Sequence, residues 1–533
     1  MTFLDFLIKK GIKMLDDKRK KILKSLMEKK LLVSPEVIDE LLELEEDFLN
    51  EILKQNLTVL DHDTIELFRK NKNFNLGEFE RAKTLKQKFG KEEIYNKFLE
   101  YKDEIKNKNN FEIQGYKIKV LKNYYEKASK KTVKDFVNYY VSRLKKISSM
   151  LEKRQELNNL TTIRKVREKR DRSEVSVIGL VNDKRISKNG KIILTLEDQT
   201  GEINVLISES NKELYERAKD IVLDEVIGVN GISGNKIIFV KELLQPDIPV
   251  VSEPLKAPDE VYAVFLSDFH VGSKNFLSAE VEKFIKWINS ELGSDENRRI
   301  AKLSKYIFIV GDLVDGVGIY PGQSEELEIR DIYKQYSKFS NLISKIPKDK
   351  HIVIIPGNHD AVRLLEPQPP ISKEFIPSLY EMPNVFLLSN PAIVNIHSSQ
   401  DFQGFNVLLY HGFSFDYYVA KVDSIRNKGG YDRADLIMKF LLQRRHLAPT
   451  YSSSLFSPEY GEDPLVIDKV PQFVATGHIH KCSVSNYRAT TLISGSCWQS
   501  KTSFQEKMGH HPEPARVPIV NLKTRKFKIL KFT

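Results

Sequence analysis

Five short blocks in the second half of the chain carry the residue types of a metal-dependent hydrolytic site. They are Ser267-Asp268-Phe269-His270, Gly311-Asp312-Leu313-Val314-Asp315, Gly357-Asn358-His359-Asp360, His411-Gly412 and Gly477-His478-Ile479-His480. Carboxylate, imidazole and amide donors in one cluster suit borderline divalent ions such as Mn²⁺, Fe²⁺ or Zn²⁺ better than Mg²⁺ in an all-oxygen shell. Two such ions about 3.5–4 Å apart need a bridging carboxylate, and they stabilise the attacking and leaving oxygens of phosphoryl transfer. A lone histidine at a strand end is ordinarily structural, but five of the chain's eleven histidines fall in these ordered blocks. His351, His397 and His446 lack such context and read as structural.

Something must bring the blocks together. Each follows a hydrophobic run, at residues 261–266, 306–310, 353–355, 407–410 and 473–476. Short apolar runs stopped by turn residues read as buried strands, and α/β sheets present ligands at the carboxyl ends of their strands. Strands adjacent in one sheet would converge the polar groups at one edge. An extended backbone through Asp268-Phe269-His270 and His478-Ile479-His480 would put alternate side chains on the same side.

The chain upstream differs in kind. A length of 533 residues allows about three or four folded pieces. Residues 1–55 show helical spacing, with Ser34-Pro35 as a start signal, and predict a small helical module. Residues 56–172 read as a linker and a basic helical segment, in which Phe136, Tyr140 and Leu144 recur at every fourth position with Tyr139 beside them, a core-facing stripe. Five short β segments within residues 173–245, separated by turns such as Lys188-Asn189-Gly190 and Ser233-Gly234-Asn235, predict a small barrel. Residues 255–533 hold the strand, loop and helix pattern that carries the five blocks.

The net charge of +11 is local. Residues 101–170 hold 20 basic against 8 acidic residues, which is +12, whereas residues 171–533 hold 44 against 45. Within that segment Lys145, Lys146, Arg164, Lys165, Arg167 and Arg170 predict contact with a polyanion; a solvated lysine-rich helix face is the competing reading. The start is interrupted by Asp5, Lys9, Lys10 and Lys13, and no run of about 18 uncharged apolar residues occurs, so neither a secretory signal nor a membrane span fits. An intracellular, cytoplasmic protein is expected. Two cysteines, Cys482 and Cys497, cannot build a four-thiolate zinc site and read as reduced thiols.

As an ordered set, the five blocks resemble the calcineurin-like metallophosphoesterases over residues 261–500. Gly429-Gly430-Tyr431-Asp432-Arg433-Ala434, Arg444-Arg445-His446-Leu447-Ala448-Pro449-Thr450 and Gly495-Ser496-Cys497-Trp498-Gln499 narrow the resemblance to the small subunits of archaeal family D DNA polymerases. The strand-turn-strand at residues 194–205 resembles OB-fold nucleic-acid-binding domains, whose barrels either bind single strands or serve as packing modules, and it extends the match over residues 173–533.

The resemblance implies an α/β metallophosphoesterase sandwich preceded by an OB-fold β-barrel and an N-terminal helical region. It further implies a 3′→5′ exonuclease that proofreads for a separate, large catalytic polymerase subunit, with DNA as substrate; for the first 60 residues a sliding clamp, another replication factor or no partner at all stay open. Carried onto this sequence, Asp268, His270, Asp312 and His480 hold one divalent ion, and Asp312 bridges to a second held by Asn358, His411 and His478. Mn²⁺ is expected, with Fe²⁺ or Zn²⁺ as alternatives. His359 faces the scissile phosphate, Asp360 orients the His359 ring, and Asp315 hydrogen-bonds around the metal shell. Two competing functions are a scaffold for the large subunit and a phosphoesterase acting on non-DNA substrates.

Overall fold

The computed structural model describes residues 116–125, 130–169, 171–458, 461–507 and 509–533, with short strands at 32–33, 59–60 and 110–113. The chain divides into two compact units, Met1–Asn109 and Asn110–Thr533. In the first, Leu32–Val33 pairs in parallel with Val59–Leu60; the rest of the helical module expected at residues 1–55 lies outside the described residues.

The second unit begins with Asn110–Ile113 (β1) and Tyr116–Lys122 (β2), an antiparallel pair. Helix Val133–Leu151 (α1) follows, its start fixed by Thr132, whose backbone N–H donates to the Asp135 carboxylate at 2.8 Å. The stripe expected to face the core is displaced: Phe136 is 36% exposed and Tyr140 and Leu144 are half-buried, whereas the buried face is Tyr139, Arg143, Ile147 and Leu151, with Tyr139 stacked on Phe456 at a ring-centroid distance of 4.4 Å and Phe136 meeting the same ring edge-on. A short helix, Ile163–Glu168 (α2), leads into the barrel.

The barrel comprises Glu174–Ile186 (β3), Ile192–Asp198 (β4), Gly201–Ile207 (β5), Val226–Ser233 (β6) and Ile237–Leu244 (β7), closed in the order β3-β4-β5-β7-β6. Alternation in β4 sends Ile192, Leu194 and Leu196 inward. The β4–β5 turn is tied by Asp198, whose carboxylate accepts from the N–H groups of Thr200 and Gly201.

Two further sheets pack face to face. One contains Tyr262–Leu266 (β8), Ser304–Val310 (β9), His351–Ile355 (β10) and Val385–Leu387 (β11), all parallel, extended antiparallel on the β8 side by Arg516–Asn521 and Phe527–Lys531. The other contains Ala392–Ile396 (β12), Phe405–Leu409 (β13) and Phe473–Thr476 (β14), with β13 and β14 parallel, then Thr490–Ser494 and Ser483–Tyr487 on the β14 side. Ala263 and Phe265 of β8 face Val407, Leu409 and Phe473 across the inter-sheet core. Val264 and Leu266 face outward against the helices Ser278–Ile288 (α3) and Ile332–Ile343 (α4), through Phe284 and Phe339. On the far side, Leu408 packs against Phe415–Lys421 (α5) and Ala434–Arg444 (α6). Strands covered on both faces read as continuous apolar runs, which explains their legibility in the sequence.

Two further expectations change. The site-bearing strands belong to two sheets, because parallel strands sandwiched between helices and a second sheet cannot all be neighbours in one. The stretch expected to be linker contributes β2, which pairs antiparallel with β12 and carries β1 on its other side as the edge strand; its few alternating apolar positions gave no strong period. Arg143 of α1, inside the basic segment, is buried with its Nε 2.7 Å from Asp463.

Candidate metal centre

All five blocks converge where the carboxyl ends of β8, β9 and β10 meet those of β13 and β14. Their backbones are not extended. Asp268, His270 and Asp312 each have φ of 52°, His478 72° and His480 56°. This left-handed region is costly for residues with a Cβ, and its concentration here marks a site held in shape by its surroundings. The Asp-x-His and His-x-His pairs therefore meet through tight left-handed turns rather than through strand alternation. Backbone bonds from Asp268 to Gly311 and from His270 to Asp312 lock the β8 and β9 loops together. Gly357 allows the close approach of the third loop, since a Cβ there would collide with the Asp312 carboxylate.

The donor atoms fall into overlapping groups: Asp268, His270 and His480; Asp268, Asp312 and His411; and His270, Asp315 and His359, the atoms of each lying within 4.8 Å of one another. Asp312 is central. Its Oδ2 lies 3.3 Å from His411 Nε2 and 3.8 Å from His270 Nε2, while Oδ1 accepts the backbone N–H of His359 at 2.9 Å. His480 Nε2 is 3.1 Å from His270 Nε2 and 3.4 Å from Asp268. Asn358 Oδ1 sits 3.1 Å from His411 Nε2 and 3.0 Å from His478 Nδ1. All seven expected ligand residues are thus assembled.

The electrostatics are those of a negative cage among imidazoles. Burial opposes ionisation of Asp312, yet His411 and His359 outweigh it and hold the carboxyl well below the usual range. Burial likewise opposes the charge on His411, but Asp312 beside it lifts the imidazole to about 10. Asp268 is pulled down by His480 against its own burial.

Asp315 lies 3.1 Å from His270 Nδ1 and is itself held by Gln499 and Gln323 at 3.0 Å each. Gln499, in the Gly495–Gln499 motif, and Gln323 were missed as supports because amides carry little spacing signal. Asp360 is a correction. Its carboxylate accepts from the N–H groups of Gly357 and Leu313 and from the Tyr336 hydroxyl, and the His359 Nδ1 instead faces the Asp315 carbonyl at 2.8 Å. Asp360 shapes the turn rather than orienting the ring, because three donors from the adjoining loops and α4 already surround it.

In the basic segment, Lys145, Arg164, Lys165 and Arg167 are exposed, Lys146 pairs with Glu462 at 2.6 Å, and Arg170 lies outside the described residues. Lys145 and Lys165 line one groove of about 750 Å³ together with Ser148, Thr162 and Thr200, between α1 and the barrel. His446 donates to Asp463 at 2.7 Å inside the core, as a structural histidine. Both cysteines are free. No helix among the described residues is long and apolar enough to cross a membrane.

Residues 262–482 match the calcineurin-like phosphoesterase family, and residues 175–236 match the OB-fold nucleic acid binding domain. Fold and site together define an OB-fold barrel joined to a metallophosphoesterase. The chain is 41% identical over 399 residues to the DNA polymerase II small subunit of Methanothermobacter thermautotrophicus, covering 75% of this chain and 79% of that one. It is 39% identical over 403 residues to the DNA polymerase II small subunit of Archaeoglobus fulgidus, covering 75% and 78%, and 38% identical over 395 residues to that of Methanocaldococcus jannaschii, covering 73% and 64%. The chain belongs to the archaeal DNA polymerase II small-subunit family.

Proposed function

We propose that this chain is the 3′→5′ exonuclease subunit of a replicative DNA polymerase, hydrolysing DNA phosphodiesters at a two-metal centre and proofreading for a large catalytic subunit. The observation that carries the reading is the convergence of Asp268, His270, Asp312, Asn358, His411, His478 and His480 at the carboxyl ends of five strands, in a chain of a polymerase subunit family.

The donor set fits divalent metal. Two imidazole nitrogens, of His270 and His480, lie 3.1 Å apart beside the Asp268 carboxylate, so two nitrogens and an oxygen converge on one point as the ligands of a single ion do. Asp268, His270, Asp312 and His480 would hold one ion, and Asp312, Asn358, His411 and His478 the other. Mn²⁺ is the ion of choice for this mixed nitrogen and oxygen set, with Fe²⁺ or Zn²⁺ next. When bound, the ions supply Lewis-acid stabilisation of the phosphoryl oxygens and lower the pKa of the attacking water.

His359 has the position of a proton donor. A carbonyl oxygen only accepts, so the 2.8 Å contact to Asp315 places a proton on Nδ1 and leaves Nε2 to serve the substrate. To serve the leaving oxygen His359 must first take up a second proton at Nε2, which its burial opposes; as water attacks phosphorus and the bond to the leaving oxygen breaks, this imidazolium gives the Nε2 proton to that oxygen and returns to the neutral ring that keeps its proton on Nδ1. The groove bearing Lys145 and Lys165, with Arg164 and Arg167 nearby, would carry the DNA backbone.

The test is degradation of a 5′-labelled primer with a 3′ mismatch by the purified chain with Mn²⁺, alone and with the large subunit. A ladder shortening from the 3′ end supports the reading. Absence of cleavage in both, with an intact complex, would leave the scaffold role instead; hydrolysis of a phosphopeptide without DNA cleavage would point to other substrates.

A further inference from the structure

Three of the candidate-ligand imidazoles give one ring nitrogen to the centre and the other to an oxygen acceptor outside it. For His270 the acceptor is the Asp315 carboxylate at 3.1 Å, and for His411 it is the Val310 carbonyl at 2.9 Å. For His478 it is Asp416, whose Oδ2 lies 3.0 Å from Nε2. An acceptor on Nε2 fixes the proton there, so the Nδ1 lone pair points at the position shared with Asn358 Oδ1, 3.0 Å away.

Asp416 stands in the first turn of α5, two residues beyond Ser414 and on a half-exposed surface. The glycine-rich segment Gly429–Ala434 reaches the same place. Tyr431 faces Asp416, and burial together with that carboxylate pushes its phenol up. Its ring packs on His510 with centroids 4.5 Å apart. The neighbouring Asp432 pairs at 2.8 Å with Lys481, which directly follows the His478-Ile479-His480 turn. Gly429 and Gly430, at φ of 120° and 52°, give the segment the sharp bend that delivers Tyr431 and Asp432 together.

We infer that Asp416 is a positioning residue for the second metal half-site, orienting His478 through its Nε2, and that the Gly429–Ala434 segment exists to hold Asp416 and the His478-Ile479-His480 turn in register. The inference rests on the two-metal reading above. Outer partners of metal-ligating histidines fix the tautomer and ring orientation, and their loss typically weakens metal binding on the order of 10–100-fold.

The experiment is calorimetric titration of Mn²⁺ into the metal-stripped full chain, comparing the natural sequence with Asp416→Ala, Asp416→Asn and Tyr431→Phe, with metal-free melting of each as a check on folding. Asp416→Ala should weaken one of the two binding events on the order of 10–100-fold and leave the other unchanged. Asp416→Asn, which keeps an acceptor oxygen, should recover most of the loss, and Tyr431→Phe should fall between it and the natural chain. Unchanged Mn²⁺ binding in a folded Asp416→Ala, or an Asp416→Asn as defective as Asp416→Ala, overturns the orienting role. If Asp416→Ala does not fold, the other two variants decide it: Mn²⁺ binding unaffected by Tyr431→Phe together with a severe loss in Asp416→Asn overturns it. A natural chain that binds no Mn²⁺ at all is a different result, and it overturns the two-metal reading itself.

Discussion

His359 and Asp312 touch within one hydrogen bond, yet they should fail differently when removed. The Asp312 side chain lies between His270 and His411, so Asp312→Ala removes the group that would bridge the two ions. That variant should lose both metal content and cleavage. His359 stands beside the seven candidate ligands, and its Nδ1 is committed to the Asp315 carbonyl. His359→Ala should therefore keep its metal, measured by elemental analysis, while primer cleavage falls on the order of 10²–10⁴-fold, the usual contribution of a positioned proton donor. Equal metal loss in the two variants would sink these roles. Asp360 should behave as neither: its three donors tie the turn to the β9 loop and α4, so Asp360→Asn should lower the melting temperature as well as the rate. Burial and the nearby Asp312 raise its carboxyl to about 7, so the folded chain holds this proton more tightly than the unfolded chain, and the group's contribution to stability is lost as pH rises through about 7.

At the level of elements, the site depends on loops that cross at van der Waals distance. A methyl group on Gly357 would enter the Asp312 carboxylate, and Gly357→Ala should therefore reduce metal content on its own, although the residue ligates nothing. A second element-level prediction concerns α1. Its Arg143 and the loop histidine His446 share the buried Asp463 carboxylate, each at 2.7 Å. Burial, and then the Arg143 charge, hold His446 down at about 4. An exposed histidine titrates near 6.5, so between about pH 6.5 and 4 the unfolded chain binds a proton that the folded chain does not. Stability linked to His446 is complete above that window and is lost as pH falls through it. Melts should therefore drop between pH 7 and about pH 5, by a free energy of about 2 kcal/mol from this group alone, and His446→Gln should flatten the dependence. Arg143→Ala should cost about 3–5 kcal/mol, as breaking a buried pair does.

Across the whole molecule, the question is whether the basic face and the hydrolytic centre serve the same strand. Lys145 and Lys165 share a groove beside the barrel turn at Asp198–Gly201. Replacing Lys145, Arg164, Lys165 and Arg167 with glutamine should weaken single-strand binding and flatten its salt dependence by about 0.7 in log-log slope per lost phosphate contact. Titrations at several salt concentrations measure this, and an unchanged slope would return the segment to solvation or protein contact. Lys146 is left out of the set because Glu462 already neutralises it.

The blocks of ligand residues, the strands preceding them and the barrel were all legible in the sequence. Each is written locally: an apolar run covered on both faces, stopped by a turn, followed by polar groups. The candidate ligand residues stand out in the sequence because five blocks in order carry information that no single histidine does. What the sequence could not determine was whatever depends on which loops become neighbours. The division of the site between two sheets, the left-handed turns at Asp268, His270, Asp312, His478 and His480, and the diversion of Asp360 to Gly357, Leu313 and Tyr336 are decided by packing among residues far apart in the chain. Asp416 is the same case, a half-exposed carboxylate with no period or motif of its own, which acquires a partner only because α5 starts beside the turn after β14. Residue type and spacing fixed what chemistry was available; tertiary contacts decided which hydrogen bonds would aim it, because a side chain's partner is set by three-dimensional proximity and not by sequence distance.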